Sequence, residues 1–310
     1  MPNALLMAAA RSTRARRLVT AVPVTRTVVD RFVAGTTLEQ VLAAVQRLLG
    51  DGLHVTVDHL GEDTTRVEQA MAVRDAYLDL LGRLGDLGVA DRAEVSVKLS
   101  ALGQALPGDG EAVALAAART ICTAAERVGT TVTLDMEDHT TVDATLRAVR
   151  ALRGEFPWVG AVLQSCLRRT EQDCRDLAHE GSRIRLVKGA YDEPLSVAHR
   201  SRADVDASYD RCLQVLMAGE GYPMVATHDP VLVARAEALA EQHGRDTSSY
   251  EFQMLYGIRV PEQWRLAAGG HRVRVYVAYG DDWYGYFMRR LAERPANVAF
   301  FLRALVSRQA

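Results

Sequence analysis

Between residues 38 and 49 apolar side chains recur at helical spacing, as Leu38, Val41, Leu42, Val45, Leu48 and Leu49, the stripe of an amphipathic α-helix that buries one face. Thr36-Thr37-Leu38-Glu39 has the form of a capping box, with the Thr36 hydroxyl accepting from first-turn amides while Glu39 reaches back. Gly50 and Gly52 then stop the helix. From residue 52 the pattern changes to short apolar or β-branched runs, each followed by a longer stretch of helical period. The runs are His54–Val57, Val95–Leu99, Val132–Met136, Val159–Leu163, Ile184–Val187, Met224–Thr227, Tyr250–Met254 and Val273–Val277. Strands alternating with helices predict a parallel sheet. Eight such units over roughly 250 residues predict one closed α/β barrel, the (β/α)8 fold of TIM type. A doubly wound open sheet has a similar rhythm, but no GxGxxG follows the first run. The chain therefore divides into an N-terminal helical arm, 1–51, and a catalytic barrel, 52–310.

Composition narrows the classes of function. Of the 310 residues 48% are hydrophobic and 25% charged, the profile of a soluble globular protein with a sizeable core. A formal net charge of -2 provides no field to hold a nucleic-acid backbone. Cys122, Cys166, Cys174 and Cys212 form no CxxC pair and have no histidines at ligand spacing, so they read as reduced thiols of a cytoplasmic protein, with no metal. Ala4–Ala10 is a short apolar run followed by Arg11, Arg14, Arg16 and Arg17, the reverse of the charge order of a secretory signal. It reads as an arginine-rich helix packed on the domain, with a transit peptide or a lipid-surface helix as alternatives.

Enzymes of this fold place their chemistry at the C-terminal ends of the strands. The polar residues there are Asp58 and Glu62, Lys98 and Ser100, Asp135 and Glu137, Gln164 and Ser165, Arg185 and Lys188, Thr227 and His228, Gln253, and Tyr276 with Tyr279. Arg185 and Lys188 read as two cations on one side of a strand leading into Gly189-Ala190, where small residues allow a phosphate to approach the backbone. Lys98 lies inside an apolar run, where an unpaired ammonium is costly, so it needs a ligand anion or Asp135 from the next strand. Adjacent helical residues diverge by about 100°. By local pattern, then, Arg289 and Arg290 read as an exposed pair, and His228 as either a packing histidine or a cofactor contact.

Taken in order, Val95–Ser100, Leu134–Asp138, Val162–Ser165, Arg185–Tyr191, Ala226–Asp229, Tyr250–Gly257, Val275–Gly280 and Tyr286–Leu291 resemble the proline dehydrogenase family in its monofunctional bacterial form. The resemblance spans roughly residues 54 to 310, with the arm also similar from about Arg26, and a barrel of this size matches the family's fold. It implies noncovalent FAD. Met136 and Gln164 match contacts near the flavin ring, Lys188, Gly189 and Ala190 the loop beside the cofactor tail, and Thr227 and His228 further FAD contacts. Arg185 matches the arginine next to flavin N5, a place where a fixed guanidinium stabilises the reduced ring.

For the substrate, the resemblance makes Lys98, Arg289 and Arg290 the three cations on the L-proline carboxylate, which overturns the local reading of the arginine pair. It puts Tyr276 and Leu255 against the pyrrolidine ring, makes Asp135 the carboxylate that orders its neighbours, and makes Glu62 a gate that pairs with Arg289. The implied reaction oxidises L-proline to Δ1-pyrroline-5-carboxylate by hydride transfer from C5 to flavin N5. No general base is assigned. Electrons pass to a quinone, with peripheral contact at the inner face of the cell membrane, and the product passes to a separate pyrroline-5-carboxylate dehydrogenase. Two alternatives stand beside this reading: a Schiff-base aldolase using Lys188 or Lys98, and a noncatalytic barrel whose charged rim binds a partner protein.

Overall fold

The computed structural model of the chain describes residues 29–62 and 64–293; the arginine-rich stretch at Arg11–Arg17 lies outside them. Helix α1 (Leu38–Gly50) forms where the apolar stripe predicts it and buries Val41, Leu42, Val45, Leu48 and Leu49. Its cap stands one residue later than the Thr36 reading. Thr37 is the N-cap, its hydroxyl accepting from Gln40 N at 3.4 Å while Gln40 Oε1 accepts from Thr36 N and Thr37 N at 2.8 and 3.2 Å. Both threonines have a Glu or Gln three residues on, so the local pattern is degenerate. A distant contact decides it, since Ala34 N bonds Ala278 O and Gly280 N bonds Gly35 O, pinning the chain just before the helix.

The remaining elements alternate strictly: β1 (His54–His59), α2 (Val67–Asp86), β2 (Ala93–Val97), α3 (Gly110–Val128), β3 (Val132–Leu134), α4 (Val142–Arg153), β4 (Gly160–Gln164), α5 (Thr170–Leu177), β5 (Arg183–Val187), α6 (Arg202–Ala218), β6 (Tyr222–Ala226), α7 (Pro230–Gln242), β7 (Glu251–Leu255), α8 (Val260–Ala268), β8 (Val273–Tyr279) and α9 (Trp283–Glu293). Each strand pairs in parallel with the next, and β8 pairs with β1, Val55 opposite Val275, which closes the barrel. Three predicted runs overshoot their ladders, Met224–Thr227 by the one residue Thr227. Leu99 and Met136 lie beyond β2 and β3 yet are buried, so hydropathy continues after strand pairing has ended.

Outward positions such as Val55, Val57, Val95 and Val97 are fully buried against the helices. The inward positions of a barrel are usually branched aliphatics, but here many are charged. Glu94 Oε2 pairs with Arg183 at 2.6 Å, its Oε1 stands 3.4 Å from Arg185 and 3.7 Å from Arg274, and Arg274 pairs with Glu251 at 2.8 Å. Thr56 and Thr131 each donate to Glu94 at 2.7 Å. Burial alone would push the Glu94 carboxyl up, but Arg274, Arg183 and Arg185 hold it well below the usual carboxylate range. Charge in the floor is thus satisfied by partners rather than by water.

An ordinary (β/α)8 barrel packs its last helix beside β8 and β1. Here α1 packs against both strands, and α9 does something else. Its Tyr284, Tyr286, Phe287 and Met288 form a second apolar cluster with Val29, Phe32 and Val33 of the N-terminal segment and with Leu60, Ile258 and Ala278 at the strand ends. Gly257 (φ 70°) admits this segment, because a Cβ there would overlap the Arg31 carbonyl. So α9 lies over the C-terminal mouth of the barrel.

Candidate active site

A cavity of about 750 Å³ opens at that mouth. Of the residues singled out from sequence, Lys98, Asp135, Met136, Gln164, Arg185, Lys188, Gly189, Ala190, Thr227, His228, Leu255, Tyr276, Arg289 and Arg290 all line it. Glu62 does not, but both its oxygens meet the Arg289 guanidinium, one of them at 3.1 Å. Seven of the lining side chains are Lys or Arg and three are carboxylates, an excess that suits an anionic ligand.

At the floor, Arg185 is 3% exposed. Its Nε donates to Gln253 Oε1 at 2.6 Å, and its Nη1 donates to Ser96 Oγ and Asp135 Oδ1, both at 2.8 Å. Tyr276 donates to Asp135 Oδ2 at 2.7 Å, and the Arg185 guanidinium lies 5.3 Å from the Tyr276 ring centre. Burial, with Asp135 and Asp58 nearby, pushes the Tyr276 phenol far above its ordinary range, so it remains a donor. Asp135 thus joins an arginine, a serine and a tyrosine in one hydrogen-bonded unit.

The anion on Lys98 is not chiefly Asp135, as the sequence suggests, but Asp58. The ammonium lies 2.6 Å from Asp58 Oδ2 and 3.7 Å from Asp135 Oδ2. Register is the reason: Asp58 lies opposite Ser96, so its inward side chain reaches the lysine two residues further on. Burial alone would depress this ammonium, but Asp58, Asp135 and Glu62 outweigh it and keep Lys98 charged.

Arg185 and Lys188 do not share a strand face. Three residues apart in a strand means opposite faces. Arg185 enters the barrel, whereas Lys188 follows the end of β5 and pairs with Asp206 and Asp229 at 2.5 and 2.9 Å. Gly189 takes φ 100°, and a side chain there would overlap Cys166 Sγ, so the backbone can lie open to the cavity. The Leu255 amide donates to His228 Nε2 at 2.9 Å, which leaves the ring proton on Nδ1. Arg290 stacks its guanidinium 5.1 Å from the Tyr286 ring centre.

Sequence reasoning missed Tyr191, Asp206 and Tyr286, which line the same cavity, and Glu94 beneath it. Tyr191 and Tyr286 end and begin segments that carry the resemblance, a usable signal. Asp206 sits on α6 among other charges with nothing to mark it.

Glu137 holds the loops together. Its carboxylate accepts from Ser100 Oγ at 2.5 Å and Ser100 N at 3.2 Å, and its carbonyl accepts from Gln164 at 2.7 Å. Burial pushes this carboxyl up to about 7 from an ordinary 4.5. A raised carboxyl favours the fold while protonated, so stability falls as pH rises from 4.5 through about 7. Glu137→Gln should remove this slope, changing the difference in unfolding free energy between about pH 5 and pH 8.5, read from urea titrations, by an amount on the order of 3 kcal/mol. Parallel pH profiles for the two proteins would contradict it.

The proline dehydrogenase family model matches residues 41–303. The chain belongs to the proline dehydrogenase family. It is 44% identical over 280 residues to proline dehydrogenase of Deinococcus radiodurans, covering 89% of each chain. It is 38% identical over 284 residues to proline dehydrogenase 1 of Bacillus subtilis, covering 92% of each. Against the bifunctional protein PutA of Escherichia coli the identity is 27%, over 24% of that protein. Among solved structures, proline utilization A of Bdellovibrio bacteriovorus superposes with a TM-score of 0.80 at 24% identity, covering 92% of this chain but 34% of that one. That likeness supports the closed barrel. Within this member of the proline dehydrogenase family, the residues that carry the sequence resemblance meet around one cavity.

Proposed function

We propose that this chain oxidises L-proline to Δ1-pyrroline-5-carboxylate with noncovalently bound FAD, residues 52–310 being the catalytic barrel and 1–51 its arm. The observation that carries the reading is the convergence of Lys98, Arg289 and Arg290 on a cavity whose floor is the Tyr276–Asp135–Arg185 unit. A small carboxylate has its cations there, and a ring has Tyr276 and Leu255 to pack on. The residues present also suit FAD. The cavity is large, carries a buried guanidinium in its floor, and has Lys188 beside an open glycine backbone for a diphosphate.

Bound flavin would supply the redox step, taking the hydride from proline C5 at its N5. The chain supplies position and charge. Lys98 and the arginine pair orient the carboxylate, two of them as forks able to bind bidentately. Arg185, fixed by four partners, is preorganised to stabilise negative charge without moving. Met136, Gln164, Thr227 and His228 would hold the cofactor against the opposite wall. Glu62 closes the mouth through Arg289, so Glu62→Ala should raise the KM for proline about tenfold with a smaller change in kcat. An unchanged KM would count against the gate.

Electrons then pass to a quinone, and the product goes to a separate pyrroline-5-carboxylate dehydrogenase. Among the described residues no helix is long and apolar enough to cross a bilayer; a membrane quinone as acceptor would call for peripheral contact at the inner membrane face. The Schiff-base alternative is disfavoured because Lys98 is held charged and Lys188 is paired with two carboxylates, whereas a nucleophilic lysine must be a free amine.

The test is the visible absorbance of the purified protein before and after anaerobic L-proline. Flavin bands that bleach with L-proline and not with D-proline are expected. A colourless protein, inactive after incubation with FAD, would overturn the reading, and borohydride trapping would then test the lysines.

A further inference from the structure

Lys98 is held from behind. Asp58, which takes its ammonium at 2.6 Å, is fully buried and does not line the cavity. The other Asp58 oxygen lies 3.3 Å from the hydroxyl of Tyr77. Tyr77, on α2, is itself anchored: its hydroxyl donates to Ser96 O at 2.7 Å and accepts from His59 N at 3.1 Å. This places a fixed carboxylate behind a lysine that lines the cavity. An ammonium has three N–H bonds. One lies on Asp58 and one turns toward Asp135, 3.7 Å away, which leaves the third for the cavity.

We propose that Asp58 is a positioning residue for substrate, fixing Lys98 so that its remaining N–H points at the carboxylate of a five-membered-ring ligand. The inference rests on the assignment of Lys98 to the proline carboxylate made above. A carboxylate so close also offsets part of the lysine's charge, but Arg289 and Arg290 supply further charge at the same mouth. What Asp58 adds is direction and retention of the proton. Without it, a nearly buried ammonium would face Asp135 at a longer distance, and burial favours the neutral amine. The other ionisable groups around the pair are Glu62, Asp135, Glu137 and His59, the Arg289 guanidinium, and the Tyr77, Tyr191, Tyr276 and Tyr279 phenols; burial holds His59 below the ordinary imidazole range and the four phenols above theirs.

The probe is cyclopentanecarboxylate, which has the ring and the carboxylate but no oxidisable nitrogen and no amine to titrate. Its Kd is read from perturbation of the flavin spectrum of the holoenzyme, so no turnover is needed. In the wild type the Kd should stay flat from about pH 8 to 9.5, above the Glu137 titration near 7, since Lys98 stays charged. In Asp58→Asn the Kd should rise about tenfold at neutral pH, and rise further over that range as the lysine loses its proton. For L-proline the same variant should show the loss in KM more than in kcat. Adding Asp58→Asn to Lys98→Met should change the Kd no further, because the effect runs through the lysine.

A wild-type Kd that weakens across that range overturns the proposal, and does so even if Asp58→Asn fails to fold. So does a variant with unchanged Kd and pH profile, or one whose effect multiplies with that of Lys98→Met. Failure of L-proline to bleach wild-type flavin would instead sink the proposed function, while the cyclopentanecarboxylate titration would still report on the carboxylate site.

Discussion

Asp135→Ala is expected to lower kcat/KM for L-proline by at least about a thousandfold, the scale at which preorganised charge acts in a closed site. The reason is the number of groups that one carboxylate holds. Tyr276 and Arg185 both lose a partner, at 2.7 and 2.8 Å, Ser96 loses another at 2.8 Å, and Lys98 loses its nearer counter-ion after Asp58. Tyr276 is then free to turn away from the ring it should pack on, and Arg185 can swing toward Glu94. FAD should still bind, since the cofactor wall at Gln164, Lys188, Gly189 and Thr227 is untouched. Steady-state kinetics beside the flavin content of the purified variant checks both halves. Loss of flavin would show that Asp135 holds the cofactor wall as well, while a drop of less than about tenfold would show that Tyr276 and Arg185 keep their places without it.

The largest effect on stability is expected from Glu94→Ala. It leaves Arg183, Arg185 and Arg274 in the floor with Glu251 and Asp135 as their remaining carboxylates. Removing one partner from a buried ion network costs about 3–5 kcal/mol, because charge stays buried without compensation. For a chain of 310 residues that is roughly 5–8 °C in Tm. Glu94→Gln should lose less, since the amide oxygen can still accept from Thr56. Calorimetry on the two variants decides it, and a Tm within about 2 °C of wild type for the alanine would show that water or relaxation satisfies the guanidiniums. The pH dependence has a definite sign as well. Glu94 and Glu251 both lie below the ordinary carboxylate range in the fold, so the stability they contribute is present above it and is lost as pH falls.

Much of the fold was legible because a (β/α)8 barrel repeats one local signal. Each strand run and each helical period depends on near neighbours, and Val95–Val97, Ile184–Val187 and Val273–Val277 lie inside observed strands. The candidate site was legible through motifs at the strand ends, and fourteen of its residues line one cavity. Partners were not. Local pattern put Arg289 and Arg290 on an exposed face and Arg185 and Lys188 on one side of a strand, and it offered Lys98 a ligand anion or Asp135 but not Asp58.

The sequence by itself determined the alternation of strand and helix, the polar residues at the strand ends and their likeness to one family. Only the tertiary structure decided that Thr37 caps α1, that α1 packs beside β8 and β1 while α9 crosses the mouth, and that Asp58 rather than Asp135 holds Lys98. The division has one physical cause. Hydrophobic period and strand propensity act over a few residues, whereas an ion pair, a cap pinned to β8 or a helix folded over the mouth depends on strand register. Register exists only once the strands have paired, β1 with β2 for Asp58 and Lys98 and β8 with β1 for the pinned cap.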